Sequence, residues 1–297
     1  MKDQAQGLRN MVKSMNTVMP QGTKSDSRVY TITSGKGGVG KTNITVNLAI
    51  ALKNMGKKVL IIDADLGLSN VEVLFGTSPR FTVKELIEGK QSIEAIIEEG
   101  PFGVSFISGG SGIIELANLD NERLIRLVKS IEAINRLFDI ILIDTGAGIS
   151  SNVLEFVMIS DEAIVVTTPE PTAITDAYAI IKAITAKAID HKIDVLINRA
   201  NNKNEADEVF YRLSNVIKRF LKRDVEYIGY MENSDLISKS VKRQMPFIIC
   251  YEKSNISNQI EQIAKKIVAK QFDLVDENNK GLSRFVERII KRLQMKT

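Results

Sequence analysis

The stretch TSGKGGVGKTN, residues 33–43, decides the fold class of this 297-residue chain. It contains a glycine, four further residues and then Gly-Lys-Thr, the pattern of a phosphate loop that joins a strand to a helix. The glycines let backbone N–H groups converge on phosphates, and the positive end of the helix adds to their effect. A nucleoside triphosphate is therefore the expected ligand. The residues predicted to bind it here are Gly35, Lys36, Gly37, Gly38, Val39, Gly40, Lys41, Thr42 and Asn43.

The chemistry of such a loop assigns roles to individual side chains. Lys41 can reach the β- and γ-phosphates, and the Thr42 hydroxyl is placed to ligate Mg²⁺. In ILIDTGAG, residues 141–148, Asp144 stands at a strand end, where a carboxylate holds Mg²⁺ through water. Thr42 and Asp144 are thus the predicted metal residues, and Mg²⁺ is the expected cofactor.

Short apolar runs recur along the chain and are nearly continuous, as strands covered on both faces must be. They alternate with segments of helical period, and Thr82 followed by Glu85 marks one helix start. This alternation predicts an α/β fold with a mostly parallel central sheet and helices on both faces. The predicted strands are 29–33, 58–63, 103–108, 139–145, 162–168, 193–198 and 225–230. The predicted helices include 43–55, 121–137, 172–187 and 205–221.

Composition restricts the compartment and the partners. A single cysteine, Cys250, allows no intrachain disulfide, and no apolar run reaches the roughly 18 residues that a membrane span requires. The expected location is therefore the cytoplasm. The net charge of +4 is mild, and residues 280–297 carry six basic side chains against one acid, so the rest of the chain is about neutral.

Lys36 is not required by the general phosphate-loop pattern. The form KGGVGKT, residues 36–42, resembles the deviant phosphate loop of the MinD/ParA family of ATPases. The resemblance implies ATP as the substrate and an ATP-bound homodimer in which Lys36 reaches the nucleotide of the partner subunit. It also implies a catalytic set of Lys36, Lys41 and Asp65. A cation supplied by a partner would offset negative charge on the transferred phosphoryl group.

Two further stretches carry the same resemblance. DADLGLSN, residues 63–70, is similar to the first switch of the family, which implies that Asp65 orients the attacking water; a turn built from Asp and Gly is the alternative. LINRAN, residues 196–201, is similar to the strand end that recognises the base. This likeness implies that Asn198 and Arg199 contact adenine, with a helix-capping asparagine as the alternative.

The second half of the domain resembles the family less evenly. Residues 165–182, VVTTPEPTAITDAYAIIK, match it closely, although no chemistry follows from their residue types. In the stretch at 229–247, Met231 and Glu232 stand where many MinD-like chains have Ile-Pro. At these two positions the resemblance does not extend to the family's base contacts, so the role of this loop stays open.

The C-terminal stretch GLSRFVERIIKRLQMK, residues 281–296, combines an apolar stripe at helical spacing with a basic opposite face. A basic amphipathic helix of this kind suits an anionic membrane surface, and packing on the protein's own core is the alternative. Residues 273–281 have the composition of a linker, so two such helices on a dimer would gain avidity. The predicted membrane-binding residues are Leu282, Phe285, Val286, Ile289, Ile290 and Leu293.

At the other end, residues 1–15 space Ala5, Leu8, Val12 and Met15 as a narrow helical stripe suited to a partner's groove, with a frayed tail as the alternative; residues 3–9 read DQAQGLR. The stretch resembles the Asp-Gln-Ala-x-x-Leu-Arg motif of the FlhG/FleN branch of the family, the flagellar-number ATPases. That resemblance implies stimulation of the GTPase FlhF, with Gln4 as the residue that matters to GTP hydrolysis. The partner-activating residues would be Asp3, Gln4, Ala5, Leu8 and Arg9.

The sequence thus predicts three parts: a partner-activating helix and linker at 1–28, an ATPase domain at 29–272, and a linker with a membrane helix at 273–297. The resemblance implies an ATPase, peripheral on the inner face of the cell membrane when ATP-bound, that acts with FlhF and flagellar switch-complex proteins on flagellum number and placement.

Other functions remain as alternatives to the flagellar one. A MinD-type division-site ATPase would share the tail and the ATPase domain without needing residues 1–9. A ParA-like DNA-segregation ATPase would bind DNA with a strong salt dependence, whereas no specific nucleic acid is expected here. An enzyme acting on a separate metabolite, like the dethiobiotin and nitrogenase-reductase relatives of the family, is disfavoured. Cys250 is far along the chain from the phosphate loop, and one cysteine per chain cannot supply the four thiolates of a cluster unless chains combine.

Overall fold

The computed structural model describes residues 27–65, 70–109, 130, 134, 137–188 and 190–272. The strands found there are β1 Arg28–Ser34, β2 Val59–Ala64, β3 Glu98–Glu99, β4 Ser105–Ser108, β5 Ile140–Ala147, β6 Glu162–Thr167, β7 Lys192–Ala200 and β8 Glu226–Glu232. They form one sheet in the order β3-β4-β2-β5-β1-β6-β7-β8. Its ladders are parallel, except that β3 and β4 pair in antiparallel fashion.

Helices cover both faces of this sheet, as the sequence predicts. They are α1 Lys41–Asn54, α2 Asn70–Phe75, α3 Val83–Ile87, α4 Ile93–Ile96, α5 Ser151–Ile159, α6 Pro171–Lys187, α7 Lys203–Leu221, α8 Asp235–Lys242, α9 Phe247–Cys250 and α10 Asn255–Phe272. One buried apolar cluster joins α1, α9 and α10 to the sheet, and a second joins α5, α6 and α7 to it. Within β6, Ile164 and Val166 belong to the first cluster and Ala163 and Val165 to the second. Burial on both faces explains why the strands have continuous apolar sequences.

The predicted strands all lie in the sheet, with ends that shift by a few residues. The two-residue β3 was not predicted, because so short an edge strand has no readable period. The predicted helix start at Thr82 is confirmed as a capping box: its hydroxyl accepts from the Lys84 N–H, while the Glu85 carboxylate accepts from the Thr82 N–H. The helix predicted over 121–137 falls largely outside the described residues.

The parallel order brings the predicted site residues to one edge of the sheet. β1 lies between β5 and β6, and the phosphate loop joins its carboxyl end to α1. Asp65 directly follows β2, Asp144 lies in the second half of β5, and Asn198 lies near the end of β7. These residues therefore lie with the phosphate loop at the carboxyl ends of the parallel strands, where ligands of such sheets bind. In the part of the chain that the structure describes, no helix is both long and apolar enough to cross a bilayer.

An ionic network lies at the amino ends of the strands, opposite the carboxyl ends where the predicted site residues lie. Lys270, in the last turn of α10, places its Nζ 2.7 Å from Asp194 Oδ1, 2.8 Å from Glu226 Oε2 and 3.6 Å from Glu162 Oε2. Glu162 also accepts a hydrogen bond from Arg28 at 2.7 Å. Burial raises the pKa of the Asp194 carboxyl to about 6, and the Lys270 ammonium group partly offsets this rise. The network fixes the end of α10 to the beginnings of β6, β7 and β8.

We expect Lys270→Met to lower the free energy of unfolding by roughly 2–3 kcal/mol at pH 8, since it leaves the buried Asp194 carboxylate without its cation, whereas Glu162 keeps Arg28. An acid whose pKa is raised in the folded state loses stability as the pH rises through that pKa. The deficit should therefore shrink at pH 5, where Asp194 takes up a proton. Urea denaturation at both pH values measures it.

Lys265→Met is the matched control, because Lys265 is exposed on the same helix. It should change the free energy of unfolding by no more than about 0.5 kcal/mol at either pH. Equal effects of the two substitutions, or a Lys270→Met deficit that grows towards pH 5, would contradict the assigned role of the network.

Candidate nucleotide-binding site

The phosphate loop follows β1 and opens α1, and two of its glycines are required by close neighbours. A Cβ atom on Gly35 would lie 2.1 Å from the carbonyl oxygen of Asp176 in α6. Gly40 has a φ of +96°, and a Cβ atom there would lie 2.5 Å from Asn198 Nδ2. The loop is therefore held against α6 on one side and the end of β7 on the other.

Lys41 lies in the buried centre of the site. Its Nζ donates to the Ser34 hydroxyl at 2.9 Å, and that hydroxyl donates to the Lys36 carbonyl oxygen at 2.7 Å. Burial lowers the pKa of the Lys41 ammonium group, while the charges of Asp144 and Asp65 oppose this change. The structure thus brings Lys41, Asp65 and Asp144 together, as predicted, and Ser34 supplies a contact that the loop pattern does not reveal.

Asp144 is fully buried and pairs in the sheet with Asp63. Its Oδ1 accepts a hydrogen bond from the Thr45 hydroxyl at 3.1 Å, and the Thr42 hydroxyl bonds the same carboxylate. Its Oδ2 is buried without a hydrogen-bond partner among the described residues. Burial raises the Asp144 pKa to about 7. An orphaned carboxylate oxygen beside a threonine hydroxyl fits a hard divalent cation such as Mg²⁺, which carboxylate and hydroxyl oxygens bind.

Asp63 and Asp65 play different parts at the end of β2. The buried Asp63 carboxylate accepts from the Asp65 N–H at 3.1 Å and from the Val71 N–H at 3.2 Å, so it links the end of β2 to the beginning of α2. A Cβ atom on Gly146 would lie 3.3 Å from Asp65 Oδ1, which places the Asp65 carboxylate beside the end of β5. This position suits the predicted role of Asp65 towards water, which stays a prediction.

Lys36 does not point into its own chain's buried site. Its Nζ lies 2.6 Å from Glu170 Oε2 and 2.9 Å from the Thr172 hydroxyl, at the beginning of α6. The Lys36 side chain is 37% exposed and that of Glu170 56% exposed, so this ion pair is weak and easily exchanged. Within the 165–182 stretch, for which the residue types implied no chemistry, Glu170 and Thr172 thus serve as hydrogen-bond acceptors for Lys36.

Asn198 is buried at the end of β7 and faces the phosphate loop. Its Nδ2 donates to the Val39 carbonyl oxygen at 2.7 Å, and its Oδ1 accepts from the Arg199 N–H at 2.9 Å. The alternative of a helix-capping asparagine is wrong for this residue, because Asn202 caps α7 by accepting from the Glu205 N–H. The predicted contact of Asn198 with adenine stays a prediction.

The remaining site predictions differ in how the structure treats them. Arg199 is exposed and has a left-handed backbone with a φ of 58°. Met231 is buried in the core, and the Glu232 N–H donates to Gln259 Oε1 at 2.9 Å, so both belong to the packing of β8. The partner motif at 3–9 and the membrane stripe at 282–293 lie outside the described residues.

Some functional candidates escaped the sequence patterns because their partners are distant in the chain. Ser34 directly precedes the loop, and only the folded structure shows that its hydroxyl binds Lys41. Glu170 and Thr172 lie 134 and 136 residues from Lys36. For Asp63, a signal was present: it is the first carboxylate of the Asp-x-Asp pair at the end of β2.

Comparisons with known proteins agree with this geometry. A family model described as ParA, NUBPL iron-transfer P-loop NTPase, matches residues 26–268. Antiactivator FleN of Pseudomonas aeruginosa is 34% identical over 91% of this chain and 96% of its own length. Flagellum site-determining protein YlxH of Helicobacter pylori is 34% identical over 99% of this chain and 100% of its own length. Among solved structures, the MinC:MinD cell division complex of Aquifex aeolicus contains a chain that matches with a TM-score of 0.66 and 27% identity, covering 86% of this chain and 100% of that one.

The family match includes both the phosphate loop and Asn198, and the fold matches that of a chain of the MinC:MinD complex. Sequence and fold therefore assign the chain to the same family. The site built by Lys41, Thr42, Asp65 and Asp144 has the composition that ATP hydrolysis requires. The chain therefore belongs to the ParA family of P-loop NTPases, in the MinD-like group that includes FleN and YlxH, and it is an ATPase.

Proposed function

We propose that this ATPase regulates the number and placement of flagella. The observation that carries the proposal is the match to the flagellum site-determining protein YlxH, which extends over 99% of this chain and all of that protein. The match to antiactivator FleN supports the same function over 91% of the chain. Five relatives named as putative septum site-determining protein MinD are 27–31% identical to this chain, below the 34% of FleN and YlxH.

ATP hydrolysis serves as a timer on a conformational switch in this proposal. ATP binds the phosphate loop with Mg²⁺ held by Thr42 and Asp144, and the bound state forms a homodimer. Lys36 leaves Glu170 and reaches the partner's nucleotide, where its charge offsets that of the transferred phosphoryl group. Asp65 orients the attacking water. The exposed Lys36–Glu170 pair supports this exchange, because it costs little to break.

Dimerisation controls residence on the membrane. The basic amphipathic stretch at 281–296 binds an anionic membrane weakly when single, and two copies on a dimer bind through avidity. The protein is cytoplasmic with ADP and peripheral on the inner face of the membrane with ATP. There it meets flagellar switch-complex proteins and the GTPase FlhF.

The N-terminal motif stimulates FlhF, and the test of the proposed function uses its glutamine. We expect the full-length protein, and a peptide of residues 1–15, to accelerate GTP hydrolysis by an FlhF protein about tenfold or more, since a stimulating side chain in such switches completes the active site. Gln4→Ala should abolish the acceleration. Phosphate release under single-turnover conditions measures it.

Gln6→Ala is the matched control, because it removes the same side chain two residues away and lies outside the motif's fixed positions. It should leave at least half of the acceleration. Absence of any acceleration by the unaltered protein would overturn the flagellar assignment, and an equal loss in both variants would remove Gln4 from the mechanism.

A further inference from the structure

Both polar atoms of the Asn198 side chain, the amide nitrogen and the amide oxygen, make hydrogen bonds to backbone within the chain. Its amide nitrogen donates to the Val39 carbonyl oxygen at 2.7 Å, and its amide oxygen accepts from the Arg199 N–H at 2.9 Å. The side chain belongs to a residue that is only 5% exposed, so water competes little for either bond. Asn198 thus ties the end of β7 to a loop 159 residues earlier in the chain.

The backbone of the loop is shaped around this tie. Gly40 lies so close to Asn198 Nδ2 that a Cβ atom would come within 2.5 Å of it, and its φ of +96° is one that glycine adopts readily. A trans peptide is planar, with its C=O and N–H pointing in opposite directions. Since the Val39 carbonyl points at Asn198, the Gly40 N–H points away from Asn198.

We propose that Asn198 is a positioning residue for phosphate binding: its bond to the Val39 carbonyl fixes the Val39–Gly40 peptide so that the Gly40 N–H faces the nucleotide's phosphates. This role does not involve the base. The Asn198 amide carries a second hydrogen, so a contact with adenine is a separate property that an experiment can distinguish. The role is also independent of the flagellar function proposed above.

A ligand without a base provides the decisive test. Inorganic tripolyphosphate with Mg²⁺ is titrated calorimetrically into the full-length protein and into Asn198→Ala, alongside ATP and GTP. We expect Asn198→Ala to weaken tripolyphosphate and ATP by similar factors of about tenfold, or 1.4 kcal/mol. The ratio of ATP to GTP affinity should stay within about twofold of its value in the unaltered protein, because a loss confined to phosphate binding affects both nucleotides equally.

Asn201→Ala is the matched control, since Asn201 is an exposed asparagine three residues away whose amide contacts only Glu205 among the described residues. It should leave all three affinities unchanged. Asn198→Ser, which keeps a small polar side chain, repeats the comparison if the alanine variant melts below the assay temperature. Amide hydrogen exchange of residues 35–42 adds a ligand-free readout: exchange should accelerate in the Asn198 variants and not in α10.

Two outcomes would overturn the proposal. One is unchanged tripolyphosphate binding together with weakened ATP binding and a collapsed preference for ATP over GTP, which would make Asn198 a reader of the base. The other is a lowered melting temperature with unchanged affinities and unchanged loop exchange, which would make its bond to Val39 purely a matter of fold stability.

Discussion

Asp65→Ala is expected to elute as a dimer in size-exclusion chromatography with ATP, and Asp65→Ala combined with Lys36→Ala as a monomer. Loss of Asp65 leaves the attacking water without its orienting carboxylate, so the ATP-bound state accumulates. Loss of Lys36 removes the cation that we propose each subunit lends to the other's nucleotide. Lys36→Ala alone should lower the rate of ATP hydrolysis on the order of 10³-fold, the scale known for charges supplied by a partner.

The control for the lysine is Lys187→Ala, which removes an exposed lysine at the far end of α6. Combined with Asp65→Ala it should remain dimeric. Glu170→Gln removes the negative charge from the acceptor of Lys36 and, because this exposed pair is weak, should raise the dimer fraction at limiting ATP only slightly. Monomers for both Asp65 variants would refute the dimer mechanism, and dimers for both would remove Lys36 from it.

Asp144→Asn is expected to lower Mg²⁺-dependent ATP hydrolysis on the order of 10³-fold, since a neutral amide oxygen holds the cation poorly and several kcal/mol of charge stabilisation are lost. The same substitution should stabilise the ligand-free protein by roughly 2 kcal/mol at pH 8. Burial raises the pKa of Asp144 to about 7 from its ordinary 3.8. A carboxyl with a raised pKa contributes stability that is fully present below its ordinary pKa and is lost as the pH rises through about 7, so the gain should shrink at pH 5 and vanish only below the ordinary pKa of 3.8.

Hydrolysis assays and denaturation between pH 5 and pH 8 measure the two effects separately. Asp224→Asn is the control, because the Asp224 side chain is 81% exposed and pairs only with the exposed Lys218 among the described residues. It should change neither the rate nor the pH dependence of stability. Retained hydrolysis in Asp144→Asn would exclude the carboxylate from cation binding, and a destabilised ligand-free variant at pH 8 would show that its ionised form is not costly.

The fold class and the positions of most strands could be predicted because their main signals are local. A strand buried on both faces needs a nearly unbroken apolar run, and β2, β5 and β6 each contain one. Alternation with helices then implies parallel pairing. The order of the strands and the antiparallel β3 could not be predicted, since Glu98 and Glu99 have no distinguishing period and their pairing depends on where β4 lies in the sheet.

Site residues could be predicted where the local sequence around them identifies their role. Contacts between two segments that are distant in the chain could not be predicted. Lys41, Thr42 and Asp144 were found because phosphate and metal chemistry constrain their residue types and local positions. The partners of Lys36 at the start of α6 and the bond from Asn198 to Val39 were not, because they join segments more than 130 residues apart. The sequence pointed to Asn198 as a base-binding residue, which stays a prediction, and its immediate partner in the structure is the Val39 backbone.

The position of β1 between β5 and β6 also determines when β1 can pair with its neighbours during translation. A ribosome adds roughly 5–20 residues per second, so roughly 8–30 s separate the appearance of Val39 from that of Asn198, 159 residues later. During this interval β1 has no neighbouring strand until β5 emerges, and the loop has no tie to β7. β1 therefore stays without a neighbouring strand until about half of the chain has been made, and the phosphate loop stays without its bond to β7 until about two thirds of it has been made.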